Sequence, residues 1–72
     1  MPATDVLHLL TFAQAELRSV RLVLRDGTEV VGTPSTVDPD PGAYEVFLHP
    51  AGDDETEIAL SIAEIRTAEL LD

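Results

Sequence analysis

The 72 residues leave room for one small globular domain, and a 44% hydrophobic share is enough to build a single core. Fourteen acids stand against four bases, all Arg, and the resulting formal charge of -10 repels phosphate backbones and anionic membranes. The lack of Cys excludes disulfides, thiolate chemistry and zinc-finger ligation, and no run of 18 apolar residues offers a membrane span.

Residues 1 to 10 have no basic leader region and include Asp5 and His8, so they read as part of a soluble, cytoplasmic protein rather than a signal peptide. A helix is expected over about 4 to 17, because Val6, Leu7, Leu9, Leu10, Ala13 and Leu17 recur at spacings of three and four. Thr4 or Asp5 is placed to cap it, and Thr11, Gln14, Glu16 and Arg18 make its other face polar. From Ser19 the period becomes two: Val20, Leu22 and Leu24 alternate with Arg21, Val23 and Arg25, which predicts a strand with one buried face. Asp26-Gly27 predicts a two-residue hairpin turn with positive φ at both positions, leading into a second strand from Thr28. Gly32 and Pro34 predict a bend or bulge near residue 32.

Asp38-Pro39-Asp40-Pro41-Gly42 combines fixed-φ residues with turn formers and predicts a rigid surface loop. A third strand over 43 to 50 buries Tyr44, Val46 and Leu48 and turns Glu45, Phe47 and His49 outward, and Ala51 to Glu55 form the next turn. Ile58, Leu60 and Ile62 mark a fourth strand, residues 63 to 65 a tight turn, and 66 to 71 a fifth strand with Ala68 and Leu70 inward. The expected architecture is mainly β: one domain over 1 to 72, with a small five-stranded antiparallel barrel over about 19 to 71 and one N-terminal α-helix plugging an open end. Val23 and Phe47 face away from that core, so they either lie under the helix or form a docking patch.

This arrangement resembles the Sm-like fold, through the alternating first strand (Val20, Leu22, Leu24), the Asp26-Gly27 turn, the glycine-bent second strand at Gly32, and Val37-Asp38. Two positions depart from the Sm pattern: Pro39-Asp40-Pro41-Gly42 stands where the RNA-binding loop carries Asn, and Thr67 follows Ile65-Arg66 where Gly is usual. The Rof-type Rho-binding antiterminators are similar in plan, with Leu22, Leu24, Arg25, Asp26 and Gly27 entering the first turn and Ile58, Leu60, Ile62 and Ile65 in the fourth-strand region. Like this chain they are small and acidic, and the resemblance implies a regulator that covers the nucleic-acid-binding surface of a basic partner. Ile65, Ala68 and Leu70 also resemble the end of the RimP C-terminal domain.

No catalytic signature stands out. His8 and His49 read as surface histidines, and Ser19, Ser35 and Ser61 lack a nucleophile elbow. The acids of Asp53-Asp54-Glu55-x-Glu57 and Asp38-x-Asp40 lack the ligand spacing of a calcium loop and read as solvated turns, so neither metal nor cofactor is expected. Charge is uneven along the chain: residues 1 to 25 carry two acids against three Arg, or +1, while residues 26 to 72 carry twelve acids against Arg66, or -11. The expected function is a non-enzymatic acidic interaction module binding a basic, nucleic-acid-binding protein through Glu29, Asp38, Asp40, Glu45, Asp53, Asp54, Glu55 and Glu57. The alternative is an Sm-like RNA-binding oligomer using Arg21, Arg25 and Arg66, and a more remote third is a metal protein or enzyme using His49 with the acidic turn. Glu64, Glu69 and Asp72 near the outer strands would place like charges between subunits of a ring, which favours a monomer or dimer.

Overall fold

The computed structural model describes residues 2–71. Helix α1 (Pro2–Glu16) is followed by strands β1 (Val20–Leu24), β2 (Glu29–Asp38), β3 (Glu45–Pro50) and β4 (Ile58–Ser61), a 3₁₀ turn (Ile62–Glu64) and β5 (Ile65–Leu70). The chain is mainly β, as the alternating apolar pattern predicted, with five antiparallel strands in one sheet ordered β4-β3-β2-β1-β5.

The helix starts earlier than its expected cap. Pro2, with a fixed φ suited to a first turn, opens α1, so Thr4 and Asp5 lie inside it and their side chains fall outside the described ones. Its end also differs. Arg18 N–H donates to Ala13 O at 2.8 Å and Leu17 N–H to Gln14 O at 3.4 Å, a Schellman-type close that places Leu17 at φ 56. Glycine is the usual occupant there. Leu17 therefore leaves the helical stripe and is 79% exposed, while Val6, Leu10 and Ala13 are buried.

Those three side chains meet Val20 and Leu22 of β1, Val46 and Leu48 of β3, Ile62 of the 3₁₀ turn and Ile65 of β5 in one apolar cluster. The helix lies over β2, β5 and the 3₁₀ turn, and so covers the inner face of the sheet. Alternation places the other faces as expected: Arg21, Ala59 and Ser61 are exposed, and Val23, Phe47 and His49 are half-buried on the outer face.

The turns depart from expectation in detail. Gly27 N–H donates to Leu24 O and Leu24 N–H to Thr28 O, so the hairpin loop has three residues, Arg25 to Gly27, and only Gly27 takes positive φ. Asp26 is spared that conformation because it sits in the preceding turn and accepts Thr28 N–H on its Oδ1 at 2.9 Å. β3 begins at Glu45 rather than Ala43, since Tyr44, at φ 47, closes the loop by donating its N–H to Asp40 O. Ile65 belongs to β5 rather than to the turn, its N–H donating back to Ile62 O. Arg66 is the extra residue where the β1–β5 register shifts.

The expected bend near residue 32 resolves into two separate devices. The register shift between β2 and β3 falls between Pro34 and Thr36, leaving Ser35 as the bulged residue beside a proline that cannot donate to the ladder. Gly32 instead serves close approach: a Cβ there would stand 2.3 Å from His49 O and 2.7 Å from Leu48 Cδ1.

β4 and β5 are the edges of the ladder, so the sheet is not closed by strand pairing among the described residues. It is nevertheless strongly curled. Laid flat, four inter-strand steps would separate β4 from β5 by about 19 Å, yet the four-residue passage from Ser61 to Ile65 spans at most about 14 Å. Two backbone bonds fasten that corner, from Arg25 N–H to Glu64 O and from Ile62 N–H to Tyr44 O, both 2.9 Å.

Gly32→Ala tests the close approach. The blocking atom is a backbone carbonyl that cannot rotate away, so the variant should lose about 1–3 kcal/mol in urea unfolding. That is a large part of the total for a chain whose stability scales at about 0.05–0.15 kcal/mol per residue.

Candidate interaction surface

No Lys or Arg occurs between residues 26 and 65, a stretch that includes all of β2, β3 and β4. Because the sheet order is β4-β3-β2-β1-β5, this gap in the sequence becomes a gap in space. Arg21, Arg25 and Arg66 all belong to the β1–β5 side, and the eight acids expected to bind a partner all belong to β2, β3, β4 and their connections.

The fold sorts those eight acids by position. Asp38 pairs with Glu45 across β2 and β3, and Asp40 lies in the adjoining loop, forming one group at one end of β3. Asp53, Asp54, Glu55 and Glu57 follow the other end, where Ala51 N–H donates to Val31 O, two residues from Glu29. The six residues of β3 separate the two groups by roughly 17 Å.

They also differ in what their carboxylates do. Asp38 Oδ1 accepts Asp40 N–H at 3.1 Å, and Asp40 Oδ1 accepts Gly42 N–H at 2.8 Å, so both hold the β2–β3 loop in shape. Asp53 does the same for the β3–β4 loop: Oδ1 accepts the N–H groups of Glu55 and Thr56, and Oδ2 accepts the Thr56 hydroxyl at 2.5 Å. By contrast, among the described residues Glu29, Glu45, Asp54 and Glu55 make no side-chain hydrogen bond or ion pair. These four carry charge without a local structural task.

Ser35, His49 and Glu57 form a small cluster on the outer face; the sequence set His49 with the acidic turn, and Ser35 is the member it did not suggest. Glu57 Oε2 lies 2.7 Å from Ser35 Oγ and 4.0 Å from His49 Nε2, while His49 Nδ1 donates to Thr56 O at 2.9 Å. The Ser35 backbone carbonyl also accepts the Gln14 side-chain amide of α1 at 3.4 Å. A nucleophilic relay needs the imidazole against the hydroxyl, whereas here both groups address one carboxylate. The cluster ties the bulge to the acidic loop. Its sequence traces were His49 with the acidic turn and the bulge signal at Gly32 and Pro34, while nothing in the spacing paired Ser35 with Glu57.

The arginines are partly engaged. Arg21 pairs with Glu69 across β1 and β5, and Arg25 Nε donates to Ala63 O at 2.8 Å. Arg66 is exposed on its bulge. Of the like charges expected at the outer strands, Glu69 is thus neutralised within the chain, Glu64 is exposed, and Asp72 lies outside the described residues. Among the described residues no group of three or more His, Asp and Glu could hold a metal ion, and no helix is long and apolar enough to cross a membrane.

No family model matches the chain, and neither curated proteins nor solved structures offer a match.

The carboxyl of Asp53 is held below the ordinary carboxylate range, chiefly by the Thr56 hydroxyl and then by the Thr56 and Glu55 amides; that of Asp26 is lowered mainly by the Thr28 amide. A depressed folded-state pKa means the anchor is fully present above 3.8 and is lost as pH falls through the lower folded value. NMR titration should therefore place the Asp53 midpoint below 3.8, and Thr56→Val should raise it toward that value. An unchanged midpoint in the variant would remove the hydroxyl from the account.

Proposed function

We propose that this chain is a non-enzymatic acidic interaction module, acting from the cytoplasm, that binds the basic surface of a nucleic-acid-binding protein and regulates it by competing with nucleic acid. The observation that carries this reading is the charge segregation of the sheet. β2, β3 and β4 with their connections hold all eight candidate acids and no Lys or Arg, and four of those acids have no partner among the described residues. Like charges fixed on one side of a small body set up a field that speeds and orients association with an opposite surface. The resemblance to Rof-type Rho-binding antiterminators, with its Arg25-Asp26-Gly27 turn and apolar fourth strand, supports the same class of partner. An RNA-binding role for Arg21, Arg25 and Arg66 has less support, because Arg21 and Arg25 are already engaged within the chain.

Affinity capture at low salt and at about 0.5 M salt, where the screening length falls to a few ångströms, tests the reading. The expected result is one basic nucleic-acid-binding protein, lost at high salt, displaced by RNA, and not recovered by a bait carrying Glu29→Gln, Glu45→Gln, Asp54→Asn and Glu55→Gln. Those four substitutions remove charge without touching a loop anchor. Recovery of RNA with an oligomer of this chain would overturn the reading, as would equal recovery by the neutralised bait.

A further inference from the structure

The helix covers the inner face of the sheet, which leaves the outer face of β1, β2 and β3 without a covering element among the described residues. That face is not uniformly polar. Val23, Val31 and Phe47 are half-buried there without joining the core cluster. Ladder register fixes their arrangement. Val31 stands across from Arg21, and Val23, two residues on from Arg21, across from Glu29. Thr33 and His49 form the next pair, and Phe47 lies between Thr36 and Ala59. Val23, Val31 and Phe47 therefore lie on a diagonal over β1, β2 and β3, with the Thr33–His49 pair between Val31 and Phe47. Two inter-strand steps across and about six residues along the strands make it roughly 22 Å from end to end, a span covered by about 15 helical residues.

Acids predominate beside this diagonal on β2, β3 and their loops. Glu29 stands across from Val23, Glu45 is two residues from Phe47 on the same strand face, and Glu57 reaches Ser35 on the bulge next to Thr36. Of the bases beside it, Arg21 is paired with Glu69, Arg25, two residues on from Val23, donates its Nε to Ala63 O, and His49 lies 4.0 Å from Glu57 Oε2. Apolar side chains bordered by unneutralised carboxylates suit a partner that presents apolar groups among cationic ones.

We infer that the outer sheet face is the docking surface, and that its occupant is a basic polypeptide segment whose aliphatic or aromatic side chains pack on Val23, Val31 and Phe47 while its Lys or Arg residues meet Glu29, Glu45 and Glu57. This deepens the acidic-module reading and rests on it. Charge brings the partner in, and the apolar diagonal selects among basic segments, which a purely electrostatic surface does poorly.

Two 14-residue peptides separate the parts, one of Lys and Leu in an amphipathic order and one with every Leu replaced by Ser, titrated into the full chain and followed by amide NMR. The Leu peptide should bind more tightly and shift the amides of Val23, Val31, His49 and Phe47. Phe47→Thr or Val31→Thr, each a β-compatible change outside the core, should weaken it about tenfold while leaving the Ser peptide unaffected. Equal affinity for the two peptides, or Leu-peptide binding indifferent to both variants, would overturn the apolar docking face while leaving the acidic module intact. Failure of both peptides to bind at low salt would overturn the docking face and the acidic module together. Concentration-dependent shifts of the same amides in the free chain would give the face to a second copy, and shifts driven by a uridine-rich oligonucleotide would give it to RNA; each contradicts the inference.

Discussion

The fold turns on the close approach of β2 and β3 at Gly32. β2 is the longest strand and pairs with both β1 and β3, so any displacement of its backbone is passed to the whole sheet. At Gly32 the space of a side chain is taken by Leu48 and by the carbonyl of His49. Leu48 is one of the fully buried residues of the single core cluster, together with Leu10 of the helix and Leu22 of β1. The missing Cβ thus lets one strand pack into the hollow of its neighbour, and the sheet curls enough for a three-residue 3₁₀ turn to join its two edges. With no Cys and no buried polar side chain among the described residues, apolar packing is what holds this arrangement.

The same topology converts a gap in sequence into a feature in space. A stretch without Lys or Arg would mean little in a fold that interleaved its first and third strands. Here β2, β3 and β4 are consecutive in the chain and adjacent in the sheet, so the acid-only segment becomes an acid-only side. Division of labour follows among the carboxylates. Asp38, Asp40 and Asp53 are occupied in building loops, where short side chains close Asx-type turns, whereas Glu29, Glu45, Asp54 and Glu55 make no side-chain hydrogen bond or ion pair among the described residues.

Much of the fold was legible because its strongest determinants are local. Alternation at Val20, Leu22 and Leu24, and again at Val46 and Leu48, marks strands whose faces the structure keeps. The helix register at Val6, Leu10 and Ala13 was equally plain, while Leu17 fitted that stripe by spacing and left it by conformation, because the chain must reverse there to enter β1. What could not be read were features created by pairing. The bulge sits at Ser35 rather than near Gly32, since its place depends on where β3 finds donors beside a proline, and the Ser35–Glu57–His49 cluster joins residues 22 positions apart. Composition named the acids of the candidate surface, but which of them are free depends on loop hydrogen bonds that no spacing rule reveals.

The charge of the chain is segregated across its sheet. Near-surface potentials measured residue by residue, from NMR relaxation caused by cationic and anionic nitroxide cosolutes, test it without any partner. The most negative potentials are expected at the amides of β2, β3, β4 and their loops and the least negative around Arg21, Arg25 and Arg66. A uniformly negative surface, with no difference between the two sides, would contradict it.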